Sequence, residues 1–286
     1  MPIFHAIVLG IAQGLAEFLP ISSSGHLELI PWMFGWDDFG GDQDLENTFD
    51  VALHVGTLVG AVAYLWSDIV KYTAAGLGSA FRKRPWDNDA RIAWFLLVSA
   101  VPAAVVGVLL EDLLLDLGEN TALIAILLIV FGLLLLFADR LPTARGGPDA
   151  ESLGRGVDSF TLSDAMKMGV AQACALLPGV SRSGVTITVG RALRFDRNAT
   201  ARIAFLMSLP LIAGAGAYRG LDIVSTGFPV GMASGFAAGM TAAAITGWFA
   251  VWGTLKFVRS RTFAPFVAYR VALGVFVLCL LATNVR

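Results

Sequence analysis

The sequence predicts an all-α integral membrane protein: an inverted-topology repeat of six full transmembrane helices plus two re-entrant broken-helix hairpins, in one membrane domain spanning 1–286. Three observations predict it: an apolar composition, two interrupted apolar segments that copy one another, and a one-sided placement of Lys and Arg.

Composition sets the class. Of 286 residues 56% are hydrophobic and only 15% charged, and the mean hydropathy is +0.73. A soluble domain carries roughly a quarter charged residues, so too few charges are present to cover a water-facing surface. Runs such as Thr121 to Ala138 match the roughly 20 residues that cross a hydrocarbon layer. The formal charge of −2 excludes nucleic acid as a partner, because no basic domain exists to neutralise phosphates along a duplex. Cys174 and Cys279 lie in apolar stretches and read as small buried side chains rather than a disulfide. The first basic residue is Lys71, so no basic n-region of a cleavable signal is expected.

Full-length spans are expected at about 48–66, 91–110, 120–138, 200–218, 229–252 and 264–283. Two other apolar segments are interrupted. Residues 3–34 contain Pro20 followed by Ser22-Ser23-Ser24-Gly25, and residues 165–192 contain Pro178-Gly179 followed by Ser181-Arg182-Ser183-Gly184. Unpaired backbone groups cost several kcal/mol each in hydrocarbon, so such breaks survive only inside protein or beside water. Each segment therefore reads as two short helices with a polar tip between them.

The two segments align. Gly10 pairs with Gly169, Ala12 with Ala171, Gln13 with Gln172 and Ala16 with Ala175. After two single-residue shifts Leu19-Pro20 pairs with Leu177-Pro178, and Ser22, Ser24 and Gly25 with Ser181, Ser183 and Gly184. Each copy precedes three spans, giving repeats over 1–139 and 165–286. Three spans is an odd number, so the second copy enters from the opposite side. The stretches 35–47 and 111–119 hold acids but no Lys or Arg, whereas 67–90, 140–164, 191–199 and 253–263 hold thirteen. The positive-inside rule makes the second group cytoplasmic, places both termini outside, and opens the first hairpin outward. Paired broken helices in such repeats put a site at their interface.

Ionisable groups among apolar spans are functional candidates, because each costs a few kcal/mol to insert. Gln13 and Glu17 share a helix face, as do Ser22 and His26, and Arg182 stands four residues before Thr186. Glu17 aligns with Leu176 and Arg182 with Ser23. One tip thus supplies an acid and the other a base. If the tips meet, the pocket holds Gln13, Glu17, Ser22, Ser23, Ser24, Gly25, His26, Ser181, Arg182, Ser183, Gly184 and Thr186. Arg offers a planar fork matched to phosphate oxygens, and helices opening at Ser-Gly breaks attract anions. A carboxylate beside an anion makes sense with a bridging divalent cation, or as a base. Ser and His supply nucleophiles and proton carriers. The blander alternatives are a helix cap at Ser22–Gly25 and a buried ion pair between Glu17 and Arg182.

Other features read as structure. Gly56-x-x-x-Gly60 and Gly231-x-x-x-Gly235-x-x-x-Gly239 have the spacing for close helix packing, within or between chains, so a homodimer stays open. Asp37, Asp38, Asp42, Asp44 and Glu46 read as a solvated outer loop, and Arg191–Arg202 as an anchor at anionic headgroups. Asp50 and His54 share a face that could line the pocket from the side.

Gln13-Gly-Leu-Ala-Glu17-Phe-Leu-Pro-Ile-Ser-Ser-Ser-Gly-His26 and Pro178-Gly-Val-Ser-Arg-Ser-Gly-Val-Thr186 resemble the two signature motifs of the bacterial undecaprenyl-pyrophosphate phosphatase family linked to bacitracin resistance. The resemblance extends over nearly the whole chain, including Tyr269-Arg270. It implies a multi-pass hydrolase of the bacterial inner membrane. Such an enzyme cleaves the C55 polyprenyl pyrophosphate to the monophosphate, depends on a divalent cation (Mg2+ or Ca2+), and opens its site to the outer face. Gln13 and Glu17 fill a motif of Glu or Gln, three residues, then Glu, so a second metal-binding carboxylate is absent. His54 stands where a Gln is expected. On this reading Arg182, Ser181, Ser183 and Thr186 hold the pyrophosphate, Glu17 and Gln13 the cation, Ser23 or Ser22 attacks, and His26 serves as acid–base partner or as the rival nucleophile. A lipid-phosphate flippase, alone or combined with hydrolysis, is the competing class.

Overall fold

A computed structural model describes residues 1–81, 85–118, 120–142, 154–226 and 231–283. Arg82, Lys83, Arg84 and Arg145, part of the cytoplasmic assignment, lie outside the described residues.

The helices start and stop for local reasons. α1 (Ile3–Phe18) ends at Leu19, which adopts an extended φ of −73° and ψ of 139° because the ring of Pro20 disfavours helix before it. α2 (Ser23–Phe34) opens on a Ser22 cap and closes on Gly35 at φ 66°, the left-handed conformation that glycine takes without penalty. α3 (Gln43–Tyr64) is capped by the Asp42 side chain. At Leu65 the chain turns by 86° into α4 (Trp66–Ala80). α5 (Asn88–Leu109), the short α6 (Glu111–Gly118) and α7 (Thr121–Asp139) follow. α8 (Leu162–Cys174) starts on a capping box between Thr161 and Asp164. α9 (Arg182–Ala192) starts on Ser181, and α10 (Arg197–Thr226), α11 (Ala233–Phe257) and α12 (Ala264–Ala282) follow.

Helices α5, α7, α10, α11 and α12 are long and apolar enough to cross a membrane, and the bent pair α3–α4 would make a sixth. The span expected at 48–66 is therefore half of a bent unit, and most of 67–80, expected as loop, is helix. The expectation fails there because α4 is amphipathic: it buries Tyr72, Ala75 and Gly76 while Trp66, Val70 and Leu77 stay exposed. Exposed apolar stripes cover the outside elsewhere. On α1 they are Ile3, Ile7, Ile11 and Leu15, and on α8 Leu162, Met166 and Val170, spaced as one helix face. Apolar side chains exposed on this scale mark a lipid-facing surface.

Small residues set the packing. α1 and α3 both lie on α11, α8 lies on α5, and α7 lies on α12. A Cβ at Gly10 would stand 2.3 Å from the Gly239 carbonyl oxygen, and at Gly60 2.2 Å from that of Ala244. Gly56 and Gly239 likewise meet partners within the chain, whereas Gly231 lies before α11 at φ 79° with nothing around its Cβ position. The glycine motifs thus serve intrachain contacts, with Gly231 the exception.

Two expectations about charge are corrected. Arg191 and Arg197 turn inward, their Nε atoms 3.1 and 2.7 Å from Asp139, and Arg202 pairs with Asp68 at 2.7 Å. These cations pin α7, α9, α10 and α4 together, and Asp139 also accepts the Phe263 N–H at 3.0 Å. The acidic segment from Asp37 to Glu46, expected as a solvated loop, is not simply solvated either. Asp38 bonds His5 at 2.8 Å, and Trp36 stacks on His5 with centroids 3.7 Å apart.

Candidate active site at the two helix breaks

The two breaks share one unusual backbone. Ser22 has φ 76° and ψ 96°, and Ser181 has φ 72° and ψ 113°. Positive φ at a non-glycine residue costs of order 1–3 kcal/mol and persists only where the surroundings impose it. Here the imposition is visible. Each serine hydroxyl accepts the N–H of the glycine three residues on, Gly25 at 3.2 Å and Gly184 at 3.1 Å. Each break therefore opens the N-terminus of a helix, α2 or α9, which favours anions.

The tips touch. Gly179 N–H donates to the Ser22 hydroxyl at 3.1 Å, and the Ser183 hydroxyl donates to the Leu19 carbonyl at 3.1 Å. Arg270 of α12 lies beneath both, fully buried. It donates to Gly179 at 2.9 Å, Val180 and Leu128 at 3.0 Å, and Leu127 and Pro20 at 3.4 Å. All five acceptors are main-chain carbonyls, so among the described residues its charge is solvated by backbone dipoles.

Glu17 is the centre of the polar network. Gln13 Nε2 donates to its Oε2 at 2.9 Å and the Ser23 hydroxyl at 2.7 Å. His54 Nε2 lies 3.4 Å away, and Arg182 pairs with Oε1. The acid of one tip thus meets the base of the other, as their alignment leads one to expect. His26 is held separately: Nδ1 is 2.6 Å from the Ser22 carbonyl oxygen and Nε2 is 2.7 Å from the Tyr269 hydroxyl.

Other expected residues take quieter positions. Ser24 is half-buried beside the break, and Gly25 packs against Ser22 and Gly179. Thr186 donates to the Arg182 carbonyl at 2.7 Å and Ser181 lies 3.4 Å from Ser183. His54 borders the site, whereas Asp50 lines a separate small cavity of about 90 Å³ with Asp37, Asp38 and Glu46.

For a cation the inventory is short. Among the described residues no three His, Cys, Asp or Glu side chains gather. Yet Gln13 is completely buried and its Oε1 has no hydrogen-bond partner, a costly state for a polar atom. One carboxylate and one free amide carbonyl are hard oxygen donors suited to Mg2+ or Ca2+.

Tyr269 and Arg270 are the site residues that motif spacing alone does not place. A signal existed for Arg270, the one ionised side chain within 264–283, since an intramembrane cation is a candidate by default.

The profile described as bacitracin resistance protein BacA matches residues 6–276. The chain belongs to this BacA family. Its relatives include proteins named undecaprenyl-diphosphatase. The one from Pelotomaculum thermopropionicum is 42% identical over 99% of this chain and 98% of its own length. Those from Geobacter sulfurreducens and Nocardioides are 43% and 41% identical, covering 96% and 98% of this chain and 96% and 97% of their own. The break motifs that form the candidate site therefore lie within the region shared with the BacA family.

Proposed function

We propose that the protein is an undecaprenyl-diphosphatase, hydrolysing the C55 polyprenyl pyrophosphate to the monophosphate and inorganic phosphate. The observation that carries this reading is the meeting of Glu17, Ser23 and Arg182 at the N-termini of α2 and α9, in a chain of the BacA family.

Ser23 is the favoured nucleophile. Its hydroxyl already donates to Glu17 at 2.7 Å, which poises the carboxylate to take its proton. Ser22, by contrast, accepts two backbone N–H groups and is fully buried, the environment of a cap. Ser23 Oγ attacks the terminal phosphorus as the anhydride P–O bond breaks, and the polyprenyl monophosphate leaves. Arg182 exchanges Glu17 for phosphate oxygens and stabilises charge on the transferred group. Water then attacks the phosphoserine. Glu17 returns its proton to Ser23, and His26 takes the proton lost by the water. Glu17 and Gln13 would hold a divalent cation, which when bound draws charge from the phosphate oxygens.

The same reading extends to architecture. The two halves form an inverted repeat, with α1–α2 and α8–α9 as re-entrant hairpins. Support comes from the matched Ser22 and Ser181 backbones. It also comes from Gly10 and Gly169, aligned glycines whose Cβ positions fall 2.3 and 2.5 Å from carbonyls of α11 and α5. The positive-inside rule places both termini and the mouth of the first hairpin outside the inner membrane.

The test is phosphate release from a polyprenyl pyrophosphate in detergent, with and without a chelator. Metal-dependent release is expected. Movement of the lipid across vesicles without any release would overturn the hydrolase reading in favour of a transporter.

A further inference from the structure

One nitrogen of His26 faces a main-chain carbonyl and the other a tyrosine hydroxyl. Nδ1 stands 2.6 Å from the Ser22 carbonyl oxygen, which can only accept, so Nδ1 carries the hydrogen. Proton exchange must occur at Nε2, whose partner is the Tyr269 hydroxyl at 2.7 Å. A hydroxyl both donates and accepts, so it can follow the imidazole through both protonation states. The rings also stack, with centroids 5.6 Å apart and planes at 8°, which orients the imidazole plane.

Tyr269 is 45% exposed while His26 is 8% exposed, so the imidazole is the more enclosed of the two groups. The backbone carrying Tyr269 is itself anchored. Its neighbour Arg270 bonds carbonyls of both tips, which ties this turn of α12 to the site.

We propose that Tyr269 is a positioning residue that acts through His26, its hydroxyl holding Nε2 and so the orientation of the buried imidazole beside the break. This rests on the acid–base role of His26 in the reading above. Neither the first motif nor the second contains it.

A double-mutant cycle tests the proposal. Tyr269→Phe retains the ring stack and removes only the hydroxyl. In the purified full chain, phosphate release from a polyprenyl pyrophosphate should fall about tenfold in kcat, with KM within about twofold and an unchanged thermal midpoint. His26→Ala should fall further, and adding Tyr269→Phe to it should cost nothing more. Independent, multiplying losses, or full activity of Tyr269→Phe, would overturn the proposal while leaving the hydrolase reading intact. Full activity of His26→Ala would overturn both this proposal and the role given to His26.

Discussion

At the residue scale, adjacent serines have opposite surroundings and should separate by experiment. Ser23→Ala removes the hydroxyl that donates to Glu17 and is expected to abolish phosphate release with little change in thermal midpoint. Ser22→Ala leaves the N–H groups of Gly25 and Gly179 without their acceptor, and a lost cap costs about 0.5–2 kcal/mol. It should lower the midpoint measurably. The Glu17–Arg182 pair gives a second contrast. Arg182→Ala strands a buried carboxylate and should destabilise the fold by about 3–5 kcal/mol. Glu17→Gln with Arg182→Ala should recover much of that stability and none of the activity. Recovery of activity in the double variant would remove both residues from the chemistry.

At the scale of elements, glycines distinguish contact from propensity. Gly60→Ala drives a methyl to 2.2 Å from the Ala244 carbonyl, so α3 and α11 must separate. A loss of about 1–3 kcal/mol is expected, read as a lower thermal midpoint. Gly253→Ala on α11 meets nothing within 4 Å and should raise stability by up to about 1 kcal/mol through helix propensity. α8 carries a pH signature at its start. Burial pushes the Asp164 carboxyl up, but bonds from Arg155 and Thr161 outweigh it and hold the group below the usual carboxylate range. Its contribution is complete above the unfolded carboxylate value and is lost as pH falls through the lowered folded one. The acid-induced drop in midpoint should therefore shrink in Asp164→Asn.

Across the whole molecule, Arg270 joins what the helices bring together. Removing it with Arg270→Met would leave carbonyls of Pro20, Gly179 and Val180 buried and unpaired, each worth about 1–3 kcal/mol. Such a variant should lose much of its folded yield in detergent. The orientation proposed for the chain is tested by labelling single cysteines from either side of sealed cells. Reagents should reach both termini only from outside, and labelling of the termini from inside would overturn the orientation.

The sequence by itself determined the membrane class, the two breaks, and the residue types at each tip. These follow from local rules: apolar length, proline before a polar run, and the expense of an ionised group in hydrocarbon. It also put Glu17 at one break and Arg182 at the other, with an ion pair between them only as the alternative to a phosphate and cation site. It did not reveal that α4 is a helix, that Arg191, Arg197 and Arg202 turn inward to Asp139 and Asp68, or that His26 answers to Tyr269. Those facts depend on which distant segment lies opposite a side chain, and 243 residues separate His26 from Tyr269. Only the packed helices decide whether a cation meets a lipid headgroup or a carboxylate, and whether a serine is a cap or a nucleophile.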